Sequence, residues 1–362
     1  MDIKVSNLTV QEKLGQMLIV GVEGNKITDR TRDLILKYKV GGFILYRKNF
    51  SSLEQMVSLI KEFKEINKAN KIPLFISIDQ EGGRVNRMPK EFLNLPAANK
   101  IATKMGEEGV ELASNILAEI LKKAGFNMNY APVLDLQRYA KNTVIGDRSF
   151  GKDKLMVAKF GVIEQKIFKD NLVIPVAKHF PGHGATKKDS HYRMPTINVD
   201  LKTLENEDMY PFKKAIEEGL DAILVGHLRI KFYTAISPCS LSKKFIIKIL
   251  RKKFHYRGLI ISDDLKMRAI KNRYGATNAL VKAIDSGNDV VIFRYNERQE
   301  KAAIEKLYVD LCMGKLNLYR INKSVERILK IKEKYQLDKD FSEKIDVQEI
   351  NNKIKKIRDE VL

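Results

Sequence analysis

The sequence predicts an α/β chain folded as a (β/α)8 TIM barrel, with one or two irregular strands and a short helical C-terminal extension. Three observations predict it. Short apolar runs recur eight times, segments with helical spacing separate them, and histidines, aspartates and lysines collect just past the ends of the runs.

In order, the runs are QMLIVGV (16–22), GGFILY (41–46), PLFISID (73–79), NMNYAPVLDL (127–136), LVIPVAKH (172–179), DAILVGH (221–227), GLIISDD (258–264) and NDVVIF (288–293). Near-continuous hydrophobicity of this kind fits parallel strands covered on both faces. The connecting segments read as amphipathic helices, for example SLEQMVSLIKEFKEINKAN before the third run and VELASNILAEILKKAG before the fourth. Gly125, Gly219, Gly258 and Gly287 stand shortly before strands, where helix C-caps are expected. Pro132 and Pro175 fall inside the fourth and fifth runs and remove a ladder donor, so these two strands are expected to be short or bulged. A doubly wound open sheet is the alternative fold, but no G-x-G-x-x-G follows the first run. The barrel is expected to occupy residues 1–337. Residues 338–362, polar and helical in pattern, are expected to extend it without forming a second domain.

Composition narrows the class. Of 362 residues, 44% are hydrophobic and 31% charged, which provides for a large core under a wet surface. No apolar run reaches the roughly 18–20 residues that cross a bilayer, and the opening MDIKVSNLTVQEKLGQ lacks the basic-then-apolar pattern of a secretion signal. The expectation is a soluble cytoplasmic monomer. Two cysteines, Cys239 and Cys312, give neither a zinc spacing nor a disulfide framework, and no metal or other cofactor is expected. The net charge of +21 is spread over helical segments without an arginine-rich arm, which speaks for a lysine-rich surface and against nucleic acid as a partner. Such a field still favours an anionic ligand at low salt.

Active sites of TIM barrels lie at the C-terminal ends of the strands. Here those ends carry Asp79, Asp135, Lys178 with His179, His227, and Asp263 with Asp264, and four of the five histidines (His179, His183, His191, His227) fall at or just after them. The stretch KHFPGHGATKKDSH (178–191) is a shaped loop, because Pro181, Gly182 and Gly184 rule out a helix. Within it, Asp189 stands two residues from His191. A carboxylate there orients the imidazole and favours its protonated form, giving a proton donor near neutral pH; an ordinary Asx-turn beside a surface histidine is the plainer alternative. One of Asp263 and Asp264 must face the mouth, as nucleophile, base or metal ligand, while the other is suited to capping the helix that follows. Asp79, followed by two glycines, Arg84 and Arg87, offers a carboxylate and two cations, which suits the grip of sugar hydroxyls. Arg148, in the polar loop after the fourth run, carries a fork for an acyl oxygen or hydroxyl.

Five segments in order, IDQEGGRVNR (78–87), APVLDL (131–136), IGDRSFG (145–151), KHFPGHGATKKDSH (178–191) and ISDDLKM (261–267), resemble glycoside hydrolase family 3, in particular its single-domain β-N-acetylhexosaminidase branch, over about residues 10–337. By that resemblance Asp263 is the nucleophile of a retaining exo-β-N-acetylhexosaminidase and His191 its acid/base, partnered by Asp189. Asp79, Arg87, Arg148, Lys178 and His179 match positions that hold N-acetylglucosamine, with His227 and Asp264 as nearby supports. The resemblance implies muropeptide fragments of peptidoglycan as substrate, and a chain of this length is expected to lack the second domain of the family's β-glucosidases. Ala185 stands where many relatives have an acid, and Lys187 and Lys188 make the loop more basic, which suits a substrate bearing carboxylates. A β-glucosidase or glycosyl phosphorylase of the same family is the nearest rival. More remote are a metal-dependent barrel hydrolase using His179, His227 and Asp263, and a barrel that binds sugar without reacting.

Overall fold

The computed structural model describes residues 3–139, 142–186, 194–234, 237–294 and 296–362. Eight parallel strands close into a barrel: β1 (Leu18–Gly21), β2 (Gly42–Leu45), β3 (Phe75–Ile78), β4 (Met128–Asn129), β5 (Ile174–Phe180), β7 (Ala222–Val225), β9 (Leu259–Ser262) and β10 (Val290–Phe293), with β10 returning to pair with β1. All eight apolar runs are barrel strands. Two further strands among the described residues, β6 (Thr196–Ile197) and β8 (Arg229–Ile230), pair with each other outside the barrel.

Local chemistry accounts for the helices between them. Helix Val10–Gln16 begins in a reciprocal box in which Thr9 and Glu12 each accept the other's backbone N–H. Asp153, Asn296 and Asn317 cap the helices that follow them. Gly125 and Gly287 end their helices in the left-handed conformation. Gly258 departs from the cap expected of it. Its role is close approach, since a Cβ there would lie 2.4 Å from the Tyr256 hydroxyl and 2.5 Å from the Asp221 carbonyl.

The two proline-bearing strands behave differently from each other. The fourth is cut to two residues; beyond it the chain runs beside β5 through single contacts such as Leu134 N–H to the Lys178 carbonyl, because Pro132 has no N–H to continue a ladder. The fifth is instead the longest in the barrel, with an irregular register between Ala177 and Phe180. Pro175 is tolerated because the N–H groups of Ile174 and Val176 point toward β4, so the missing donor faces β7, whose pairing starts only at Val176.

The C-terminal extension packs rather than trails. Helix Val347–Val361 buries Ile350, Ile354, Ile357 and Val361, one apolar stripe at helical spacing, and lies along helix Ala98–Ala124. No described helix is long and apolar enough to cross a membrane.

Candidate active site

The C-terminal ends of the strands surround a cavity of about 480 Å³. Asp79, Arg87, Arg148, His179, His183, Asp263 and Asp264 all line it. That size suits a monosaccharide unit with part of its neighbour. Asp189 and His191 lie outside the described residues.

One wall of the cavity is an ion network from β3, β5 and the loop after β4. Lys178 is 2% exposed and pairs at once with Asp79 and Glu81. Glu81 in turn takes a two-pronged contact from Arg148, Nε to Oε2 at 2.8 Å and Nη2 to Oε1 at 2.6 Å. Burial works against the charge on Glu81, yet Arg148 and Lys178 hold its carboxyl well below the usual range, and the Arg148 guanidinium is correspondingly held charged. Asp79 remains 24% exposed toward the cavity, with Arg87 at 3.5 Å from its other oxygen. Lys178 thus fixes one oxygen of Asp79 and leaves the carboxylate edge facing the space a ligand would fill. The second cation foreseen beside Asp79 is elsewhere: Arg84 pairs with Asp147 at 3.1 Å and donates to the carbonyls of Val144 and Ile145, pinning the loop that carries Arg148.

A second device holds the histidines. Asp135, wholly buried at the end of the fourth run, accepts from His179 N–H at 3.0 Å, His179 Nδ1 at 2.6 Å and His183 N–H at 2.5 Å. Burial alone would raise its pKa, but His179 and these hydrogen bonds lower it, so Asp135 is an anion and Nδ1 of His179 carries a proton. Nε2 is then the ring nitrogen left for the cavity. His183, buried, is pushed down to about 4 by desolvation and by His179, and stays neutral at pH 7. The glycines of this loop are steric requirements: a Cβ on Gly184 would sit 1.8 Å from the Leu136 carbonyl oxygen, and Gly182 has φ +119°.

Across the cavity, Asp263 follows β9 and is half-buried, while Asp264 beside it is 5% exposed. Asp264 turns its carboxylate inward, where Oδ1 accepts Lys266 N–H at 3.0 Å and Oδ2 accepts Arg294 Nε at 2.6 Å. The helix cap expected here is therefore a turn, and the next helix starts only at Arg268. His227, expected as a support, does not line the mouth. It is fully buried behind the strand ends, with Nε2 donating to the Asp264 carbonyl at 3.0 Å and Nδ1 accepting from the Ser240 hydroxyl at 2.7 Å. A zinc site of His179, His227 and Asp263 needs that ring in the mouth, and among the described residues no three His, Cys, Asp or Glu side chains assemble as a ligand set.

Asp135 was placed at a strand end by the sequence but given no partner there, whereas Glu81, Tyr46 and Arg294, which complete the site, were not singled out. Tyr46 and Arg294 each follow a barrel strand directly, the same positional signal that marked Asp79 and Asp263.

The chain is similar to known proteins of one family. Residues 9–331 match the N-terminal domain of glycosyl hydrolase family 3. A β-hexosaminidase of Hydrogenovibrio crunogenus is 32% identical over 294 residues, 78% of this chain and 81% of that protein. One of Nitrosospira multiformis is 31% identical over 311 residues, 84% and 88% respectively. Among solved structures, a family 3 β-N-acetylglucosaminidase from a Paenibacillus species superposes with a TM-score of 0.92 at 32% identity, covering 98% of this chain and 69% of its own. The β-glucoside phosphorylase BglX, at 23% identity and a TM-score of 0.88, shares the fold.

Proposed function

The chain belongs to glycosyl hydrolase family 3, in its β-N-acetylhexosaminidase branch, and from that premise we propose that it releases terminal β-linked N-acetylglucosamine from muropeptide fragments, with retention of configuration, through a covalent intermediate on Asp263. The observation that carries this reading is that Asp263 and the Asp79–Lys178–Glu81–Arg148 network face one another across a single cavity at the C-terminal ends of the strands.

In the first step an oxygen of Asp263 attacks the anomeric carbon as the bond to the leaving group breaks. His191, in its imidazolium form and oriented by Asp189, gives its proton to the departing oxygen. In the second step the now neutral His191 takes a proton from water. The water oxygen bonds to the anomeric carbon, and the ester to Asp263 breaks to return the carboxylate. Two inversions give net retention. A histidine thereby fills the place of the second carboxyl group of most retaining glycosidases; its assignment rests on the D-S-H motif. Asp79, Arg87 and His179 hold the sugar, Asp79 by accepting from hydroxyls on the edge that Lys178, buried behind it, leaves open. Arg148, committed to Glu81 and to the Val144 carbonyl, stiffens the wall against which the ligand would rest. Muropeptides as substrate are supported by the cations that line the cavity after β9, Lys266 and Arg268, which suit an aglycone bearing carboxylates.

A slow fluorinated N-acetylglucosaminyl donor is expected to label the peptide that contains Asp263, detected by mass spectrometry after digestion. Label on another residue, or none from an active enzyme, overturns the mechanism. Rates on p-nitrophenyl N-acetylglucosaminide and on the glucoside, with and without phosphate, separate this reading from a β-glucosidase or a phosphorylase.

A further inference from the structure

We infer that Arg294 is a positioning residue for Asp263, acting through Asp264 and its backbone; the inference rests on the reading of Asp263 as nucleophile. Arg294 leaves the end of β10 and crosses over the end of β1 to reach β2. Gly21, the last residue of β1, makes that path possible: a Cβ there would approach Cγ of Arg294 to 3.1 Å and Cδ to 3.2 Å. The guanidinium comes to rest over the ring of Tyr46, 4.3 Å from its centroid. From this seat it grips Asp264, with Nε donating to Oδ2 at 2.6 Å and Nη2 paired with the same oxygen.

Asp264 is therefore held on every polar group it owns. Arg294 takes one carboxylate oxygen, and Lys266 N–H takes the other at 3.0 Å. The His227 ring, set by Ser240, takes its carbonyl at 3.0 Å. The group that remains, the backbone N–H of Asp264, donates to Oδ1 of Asp263 at 2.8 Å. The Asp263 backbone is anchored in turn on the Val225 carbonyl at 3.1 Å. A contact between neighbouring residues fixes the rotation of the Asp263 carboxylate only if the donor is itself immobile. The residue that immobilises its carboxylate end is Arg294.

Without the guanidinium, the Asp264 carboxylate is buried and without its cation. It either takes up a proton or turns away, and the peptide that holds Asp263 loosens with it. Displacement of a reacting atom by about 1 Å can cost on the order of 10²-fold in rate. A sugar contact made by Arg294 would instead act on binding, raising KM and leaving kcat alone.

The test uses the full chain with Arg294→Met and Arg294→Lys, steady-state rates on p-nitrophenyl N-acetylglucosaminide, and the rate of labelling by the fluorinated donor. Arg294→Met is expected to lower both kcat and the labelling rate about 10²-fold with KM changed less than about threefold. Arg294→Lys, which keeps the charge but not the fork, is expected to recover about tenfold of that loss. Unchanged kcat, a rise in KM alone, or a lysine variant no better than the methionine variant overturns the inference. If Arg294→Met does not fold, Arg294→Lys decides alone: a loss of kcat of about tenfold with KM kept supports the inference and wild-type kcat overturns it. Label on a residue other than Asp263 in the unmodified enzyme overturns the nucleophile assignment and this inference with it. Label on Asp263 at an unchanged rate in both variants overturns this inference alone.

Discussion

The two ends of the barrel bury charge in different ways. At the N-terminal foot, Asp289 accepts from Ser324 Oγ at 2.7 Å, Arg327 at 3.1 Å and Ile260 N–H at 2.9 Å, and pairs with Arg251. Lys332, wholly buried, donates to Gln16 Oε1 at 2.7 Å and to the carbonyls of Gly41 and Pro73 at 2.9 and 2.6 Å, over the ring of Phe75. Asp221 is closed off by Lys334 and the Tyr335 hydroxyl. Ser324, Arg327, Lys332 and Lys334 come from one helix, Leu318–Lys334, and Tyr335 follows it, so a single element stitches the foot shut. At the mouth, Asp79, Arg87, His179 and Asp263 are also partnered but keep an edge on a cavity of about 480 Å³. Satisfied on all sides, a buried ion stabilises; satisfied on all sides but one, it is ready for a ligand.

Removing one carboxylate from each end separates the two roles. Asp263→Asn is expected to lower kcat/KM on the order of 10⁴-fold or more while leaving the melting temperature nearly unchanged. Asp289→Ala is expected to cost about 3–5 kcal/mol of stability, because Arg251 and Arg327 lose their shared partner, with activity per folded molecule intact. Urea unfolding and activity on the same samples check both. Loss of activity in a fully stable Asp289→Ala would erase the distinction between the ends.

Lys178→Met has a smaller effect that shows up in both measurements. Removing the cation shared by Asp79 and Glu81 is expected to lower kcat/KM by about 10²-fold and stability by about 3 kcal/mol. A purely catalytic or purely structural loss would show that the network serves one purpose only.

The smallest effect concerns the layer under the mouth. Glu164, on helix Lys154–Asp170, is buried beside the network; desolvation and the negative Glu81 push it up to about 8 against the pull of Lys178. The folded protein therefore keeps a proton that the unfolded chain releases above its ordinary value of 4.5. Stability from this group falls as pH rises from about 4.5 to about 8 and then levels off. Glu164→Gln removes that loss. Its stability advantage over the unmodified chain is expected to grow between pH 5 and pH 8 by on the order of 1–3 kcal/mol. An advantage equal at both pH values would contradict the assignment.

Much of the mouth was legible in the sequence because its signals are local. Apolar runs and breakers mark where strands stop, and the polar residues at each stop must lie at one end of the barrel; Asp79 and Asp263 stand just past their strands there, and Lys178 and His179 in the last residues of theirs. The same rule could have found Tyr46 and Arg294, which were passed over because a lone aromatic or arginine after a strand is common. His227 follows its strand yet faces inward, since Gly226 and the turn after it carry the ring behind the strand ends toward Ser240. Nothing local distinguishes it from His179.

The order of residues alone sets the period of the chain, the eight barrel strands though not the β6–β8 pair, most of the residues that crowd the mouth, and the family. Only the tertiary structure decided who partners whom. Lys178 and Asp79 are 99 residues apart, Arg294 and Asp264 30, and Lys332 and Gln16 316. The first pair meets because β3 and β5 flank β4, the second because β9 and β10 are neighbours, and the third when β10 closes against β1. Backbone period is written in neighbouring residues. The pairing of charges around a barrel is set by strand order and closure, which no stretch of neighbours contains.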